Sequence, residues 1–400
     1  MVPLIIVLIL ALVAAVALLI SLITGAVLLV ANTRQKQTAK QVNRFRRALT
    51  TLLAAVFLSA AVVTASQLTA STPKIVDETG ITVSDSIAEL ERVTLNGRTE
   101  WISIRGWDRS NPVLLFLAGG PGGTQMAAVR YELGELEKHF VVVNWDQPGA
   151  GKSYYAEQTK KITVDTYLQD GYALTEYLKD RFQQEKIYLI GESWGSALGI
   201  FLIARNPESY HAFIGTAQMI DFAETERLDY AKAMELAKSR GDERVIQQLV
   251  ENGPPVYYGN EVTWKSAAYL NYLSTEMARN PEIHNAGYNT FRDMGAREYG
   301  VLDQINYARG VINTFNQVYQ QLYEIDLRSD YAKLDIPVFF FLGRHDVNAP
   351  VELVEEYADL LDAPKKQIVW FEHSGHSPWI NERNFFVQDV LTVFLEEGAK

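Results

Sequence analysis

The chain has 400 residues, 48% of them hydrophobic and 21% charged, which suits a large folded domain with attachments. Residues 1–67 hold six Lys and Arg and no Asp or Glu, so the formal −11 of the whole chain leaves −17 on residues 68–400. An acidic body lacks the basic face that nucleic-acid binding needs, and the absence of cysteine excludes disulfides, thiolate nucleophiles and zinc–thiolate sites.

The first charged side chain is Arg34, and Pro3 to Ala31 is almost unbroken Leu, Ile, Val and Ala. That run exceeds the roughly 20 residues a helix needs to cross the hydrocarbon core of a bilayer. A second uncharged stretch spans about 48–66, and the basic residues Arg34, Lys36, Lys40, Arg44, Arg46 and Arg47 lie between the two. Short basic loops stay on the cytoplasmic side. The pattern therefore predicts a transmembrane hairpin over 1–70, with spans at about 4–31 and 48–66 and a cytoplasmic loop at 34–47. The body would then lie outside the cytoplasm at the cell membrane. The alternative is a secreted body, because Arg44 to Arg47, an apolar run and Val63-Thr64-Ala65 resemble a cleavable leader with its site near Ala65.

Residues 81–107 alternate like strands around a turn at Asn96-Gly97. Pro112–Leu117 and Phe140–Trp145 are continuous apolar runs, the form of strands buried on both faces of a parallel sheet. Val164–Phe182 reads as a helix, Lys186–Ile190 as a strand, Ala197–Ala204 as a helix and Ala212–Gly215 as a strand. Such alternation predicts a mostly parallel, doubly wound α/β sheet. The pattern breaks from about 221 to 332 into helical, Tyr-rich sequence and resumes with strands at Ile336–Leu342 and Gln367–Phe371. The body thus divides into a core at 75–220 and 333–400 and an inserted helical cap at 221–332.

Gly191-Glu192-Ser193-Trp194-Gly195 fits G-x-S-x-G and stands between a predicted strand and a predicted helix. In that context the serine sits on a sharp turn with its hydroxyl exposed, and side chains at the glycine positions would collide with neighbouring elements. The helix N-terminus behind it favours developing negative charge. A serine nucleophile needs a base from a loop after the last strand and an acid after the strand before it. Of the six histidines, His373 and His376 qualify. His376, within Ser374-Gly-His-Ser-Pro378, is favoured, and Asp346, in Gly343-Arg-His-Asp346, is the acid that would orient it. Oxyanion donors would be the backbone N–H groups of Trp194 and, from the loop Gly119-Gly-Pro-Gly122, of Gly120. Gly149-Ala-Gly-Lys-Ser153 looks like a phosphate loop but has Asp146 where that motif requires glycine. No metal cluster or dinucleotide fingerprint appears, so no cofactor is expected.

Together these motifs resemble the prolyl aminopeptidase (proline iminopeptidase) group of α/β-hydrolases. That group shows a His-Gly-Gly-Pro-Gly loop, an Asp-Gln-x-Gly-x-Gly-x-Ser turn, a Gly-x-Ser-Trp-Gly elbow, a Gly-Arg-x-Asp acid and a Gly-His-Ser base. Here they stand as Gly119-Gly-Pro-Gly122, Asp146–Ser153, Gly191–Gly195, Gly343–Asp346 and Gly375-His-Ser377. The sequence departs from the group at Ala118 and Pro148 and in the cap, which lacks a Trp-rich acidic stretch. The resemblance implies an α/β-hydrolase fold and a Ser-His-Asp hydrolase acting through an acyl-enzyme on a small molecule or short peptide. In that group cap carboxylates bind the substrate's free amine, and Glu224 and Glu226 are the candidates here. The alternatives are a carboxylesterase or lipase-like hydrolase of small acyl esters and, in another class, a non-catalytic membrane-tethered binding module.

Overall fold

The computed structural model describes residues 1–36, 38–285 and 287–396. The chain divides into two compact units, residues 1–71 with 294–305, and residues 72–293 with the chain from 306 onward.

The first unit is built on α1 (Val2–Thr33) and α2 (Ala39–Leu68). Both are long and apolar enough to cross a membrane. Their large side chains, such as Leu8, Leu12, Leu19, Leu22, Leu53 and Phe57, point outward, while Ala17, Ser21, Ala31, Ala48 and Ala55 are buried. Lipid solvates Leu as well as another helix does, so helices associating in a bilayer gain from small residues that let backbones approach. The basic stretch expected as a loop is mostly helical. Thr38 caps α2 through a reciprocal pair in which its hydroxyl accepts from the Gln41 N–H and the Gln41 amide oxygen accepts from the Thr38 N–H. Lys40, Arg44, Arg46 and Arg47 therefore ride on the first turns of α2. The segment Val63–Ala65 lies within α2, where Ala65 O accepts from Thr69 N at 3.0 Å. At the far end of α2, Ser66 Oγ and Gln67 Oε1 accept the N–H groups of Val301 and Leu302, and Gln67 Nε2 donates to Asp303.

The second unit holds an eight-stranded sheet. Its strands are β1 (Ile87–Leu95), β2 (Arg98–Gly106), β3 (Val113–Leu117), β4 (Val141–Asp146), β5 (Ile187–Glu192), β6 (Tyr210–Thr216), β7 (Val338–Gly343) and β8 (Lys366–Phe371), in the order β1-β2-β4-β3-β5-β6-β7-β8. The β1–β2 hairpin turns at Asn96-Gly97, both at positive φ, the conformation that matches strand twist in two-residue turns. β2 pairs antiparallel with β4, and every later pairing is parallel.

Burial on both faces explains the unbroken apolar runs. In β3, Leu115 and Leu117 pack in one layer with Leu174, Leu178 and Ile200, while Leu114 and Phe116 pack in the other with Val129, Trp379 and Phe386. Helices α3 (Met126–Glu132), α4 (Val164–Phe182) and α5 (Trp194–Arg205) connect the early strands. Between β6 and β7 the chain runs through α6 (Phe222–Arg240), α7 (Glu243–Asn252), α8 (Val262–Arg279), α9 (Thr290–Met294), α10 (Val301–Val318) and α11 (Leu327–Asp330). α12 (Val351–Leu360) joins β7 to β8, and α13 (Pro378–Asn381) and α14 (Arg383–Leu391) follow. The helices α6 to α11 all follow β6 and precede β7 in the chain.

Candidate active site

Ser193 stands between β5 and α5 at φ +54°, ψ −121°, outside the regions L-residues prefer. Such backbone costs about 1–3 kcal/mol and persists only where surrounding structure imposes it. Its neighbours impose it here. A Cβ on Gly191 would run into the carbonyl of Gly195, and one on Gly195 would run into the carbonyl of Leu117. The Ser193 N–H is held by Thr216 O at 3.0 Å.

The glycine-rich loop after β3 reaches the same point. Gly120 adopts φ +134°, and the position a Cβ would take on Gly119 lies 3.3 Å from Ser193 Cβ. The turn after β4 braces this loop. Gln147 Nε2 donates to Ala118 O at 3.2 Å, and Trp194 Nε1 donates to Gln147 Oε1 at 3.0 Å. Asp146 accepts from Thr124 Oγ1 and from Lys152 N. The residues that mimic a phosphate loop are therefore spent on internal bonds.

His376 Nδ1 lies 3.0 and 3.1 Å from the two carboxylate oxygens of Asp346. Asp346 is fixed by the backbone N–H groups of Asn348 and Ala349 at 2.8 and 3.1 Å. Burial works against the His376 cation, but the charge and hydrogen bond of Asp346 and the charge of Glu192 outweigh it and raise the pKa to about 9. His373 is exposed, stacks on His284 with ring centroids 4.1 Å apart, and lines no part of the site. His345 faces Glu282 at 3.3 Å.

Gly120, Ser193, Trp194 and His376 converge on one cavity of about 130 Å³. An adjoining pocket of about 320 Å³ shares His376 and Asn348 and is walled by Met277, Ile283 and Tyr288. A larger surface groove of about 780 Å³ touches neither Ser193 nor His376. Among the described residues no group of three or more His, Asp or Glu is placed to hold a metal.

The two carboxylates proposed from sequence stand elsewhere. Glu224 pairs with Arg328 at 2.7 Å on the surface of α6. Glu226 is fully buried and accepts from Ser266, Tyr269 and Tyr319, and burial raises its pKa against those three bonds. Of its partners, Tyr319 lines the cavity. The carboxylate that does reach the cavity is Asp229, 1% exposed, one turn further along α6. Among the described residues neither of its oxygens has a hydrogen-bond donor, and the Oδ1 of Asn348 beside it has none either. Burial, with the charges of Glu226 and Asp346, holds the Asp229 pKa well above the usual carboxylate range. The sequence carried a signal for this: Phe222, Glu226, Asp229, Ala233 and Ala237 recur at the spacing of one helix face.

Residues 135–384 match the family described as serine aminopeptidase, S33. The chain belongs to that family. It is a hydrolase of the α/β-hydrolase fold. The probable aminopeptidase YbaC of Bacillus subtilis (strain 168) is 29% identical over 313 residues, 76% of this chain and 96% of that one. The proline iminopeptidase of Lactobacillus crispatus (strain ST1) is 34% identical over 290 residues, 71% of this chain and 90% of that one. A crystal structure of a membrane phospholipase A, described as a bacterial virulence factor, is similar in fold with a TM-score of 0.55 at 17% identity, over 90% of this chain and 99% of that one.

Proposed function

We propose that the protein is a membrane-anchored aminopeptidase that releases the N-terminal residue of short peptides or aminoacyl compounds. Ser193 is the nucleophile, His376 its base and Asp346 the carboxylate that orients the imidazole. With Nδ1 committed to Asp346, Nε2 is left to take the Ser193 proton. The hydroxyl oxygen attacks the acyl carbon, and the N–H groups of Gly120 and Trp194 receive the oxyanion at the start of α5. The imidazolium then protonates the leaving amine, and water repeats the cycle to free the acyl-enzyme.

The observation that carries the amine specificity is Asp229. A buried carboxylate without donors is costly, and a substrate ammonium, which has three N–H donors, would satisfy it together with Asn348 Oδ1. This reading gives amine recognition to Asp229, with Glu226 fixing Tyr319 behind it and Glu224 engaged with Arg328. The test compares aminoacyl-naphthylamides with their N-acetylated forms on the purified full-length protein. Free-amine substrates should be turned over much faster, and equal rates would reject the assignment.

Hydrolysis of small acyl esters is the second reading, favoured by the apolar walls Met219, Phe222, Leu270 and Phe315 around Ser193. Comparable rates on p-nitrophenyl acyl esters and N-acetylated naphthylamides would support it.

The domain reading is a hairpin at 1–70, a core at 75–220 and 333–400, and a cap at 221–332. α1 and α2 span the bilayer with the basic residues 34–47 cytoplasmic and the body on the opposite side.

A further inference from the structure

Glu192 precedes the nucleophile and is 2% exposed. Its carboxylate receives donors from three separate segments. Gln125 Nε2, just after the glycine-rich loop, donates to Oε2 at 2.9 Å. The Tyr288 hydroxyl, from the insertion between α8 and α9, donates to Oε1 at 2.8 Å, and Ser377 Oγ, next to His376, approaches Oε1 at 3.4 Å. Gln125 Nε2 also bonds the Tyr288 hydroxyl. All of these donors are neutral, and they meet the carboxyl group in a buried place beside Ser193.

We propose that Glu192 is a positioning residue: it ties the oxyanion loop, the His376 loop and the Tyr288 segment together behind the nucleophile, and its charge faces the imidazolium that forms on His376. The inference rests on the triad reading above. A fixed negative charge in a water-poor site stabilises a cation that appears only as the reaction proceeds. Among the described residues, the ionisable groups around this centre include Asp346 from the loop after β7, Asp229 from α6, Tyr319 just after α10, Tyr288 from the insertion and Glu382, which holds Ser374. Asp346 bonds the imidazole directly, whereas Glu192 acts on it across space and through Ser377. The contribution of Glu192 to the raised His376 pKa agrees with this arrangement.

The experiment measures pH profiles of kcat and kcat/KM with p-nitrophenyl acetate, which needs no amine site. It uses the full-length protein, with active sites titrated by a fluorophosphonate probe. Glu192→Gln keeps size and one acceptor but removes charge. Its ascending limb should move to lower pH, its plateau kcat should fall roughly 10- to 100-fold, as misplacement of catalytic groups does, and KM should change little. Tyr288→Phe and Ser377→Ala keep the charge, and should lower kcat while leaving the limb near its wild-type position. A Glu192→Gln enzyme with wild-type limb and kcat per titrated site overturns the proposal. Should that variant not fold, unchanged kcat in both donor variants overturns it equally. Ser193→Ala run alongside separates the two readings: turnover retained there refutes the triad, whereas loss there with an unaffected Glu192→Gln refutes only this inference.

Discussion

Trp194 and Gln147 are joined by a 3.0 Å hydrogen bond, and Gln147 in turn holds the carbonyl of Ala118. Three sequence motifs that are far apart in the chain, the elbow, the turn after β4 and the glycine-rich loop, thereby form one mechanical unit. The Trp194 ring is fully buried, so neither end of this bond can be replaced by water. Gln147→Leu should leave Trp194 Nε1 and Ala118 O unpaired, costing about 1–3 kcal/mol of stability. Thermal melting would report that loss, and steady-state kinetics should show a lower kcat with KM little changed.

Ser193→Ala should abolish turnover while the domain remains folded. Loss of a triad nucleophile costs about a millionfold in rate. A purified variant that retained a few per cent of activity, or that still reacted with a fluorophosphonate probe at this site, would displace Ser193 from its role.

The raised pKa of His376 fixes the direction of a pH effect. The free enzyme holds the imidazole protonated up to about 9, and only the neutral form can act as a base, so kcat/KM should climb with pH toward that value. The cation is favoured in the folded state relative to an ordinary imidazole near 6.5, so its contribution to stability is complete below 6.5 and is lost as pH rises through 9. Asp346→Asn should bring the limb down toward 6.5 and reduce kcat roughly ten-thousandfold. A limb that stayed in place would show that Asp346 does not set the base.

His376→Ala should be far more damaging than His373→Ala, whose ring stacks on His284 at the surface. The reverse ranking, with both variants folded, would move the base to His373.

Asp229→Asn should raise KM for free aminoacyl substrates and lower their kcat/KM roughly 30-fold or more, the cost of removing one partner of a buried charge pair. Simple acyl esters should be nearly unaffected. Glu224→Gln should have little effect on either substrate, because its partner is the surface Arg328. A larger effect at Glu224 than at Asp229 would return amine recognition to the outer face of α6.

Protease added to spheroplasts should digest the body and leave a small protected hairpin. A body resistant until lysis would reverse the topology, and a body found free in the medium would favour cleavage near Ala65.

Much of the fold was legible because its causes are local. β3, β4, β5 and β7 announced themselves as largely apolar runs, and the Asn96-Gly97 turn by residues that tolerate positive φ. α4 begins and ends at its expected residues. Other elements were misjudged or missed. α12 between β7 and β8 was not read from the sequence, and α5 begins at Trp194, three residues earlier than periodicity suggested, because the elbow starts the helix immediately after Ser193. α2 begins at Ala39 since the Thr38 and Gln41 pair caps it ahead of the apolar run.

The site divides along the same line. Strand-turn-helix geometry, the glycines beside Ser193 and the chain order of Ser193, Asp346 and His376 are properties of short segments, and the sequence by itself determined them as candidates. Which carboxylates face the cavity depends on how α6 packs, and one helix turn decides between an ion pair at Glu224, a hydrogen-bonded Glu226 and a donorless Asp229. The role of Glu192 is further from reach, since its donors Gln125, Tyr288 and Ser377 come from three segments. Only the tertiary structure brings them to one carboxylate, because a buried charge collects its partners from whatever the fold packs around it, regardless of distance along the chain.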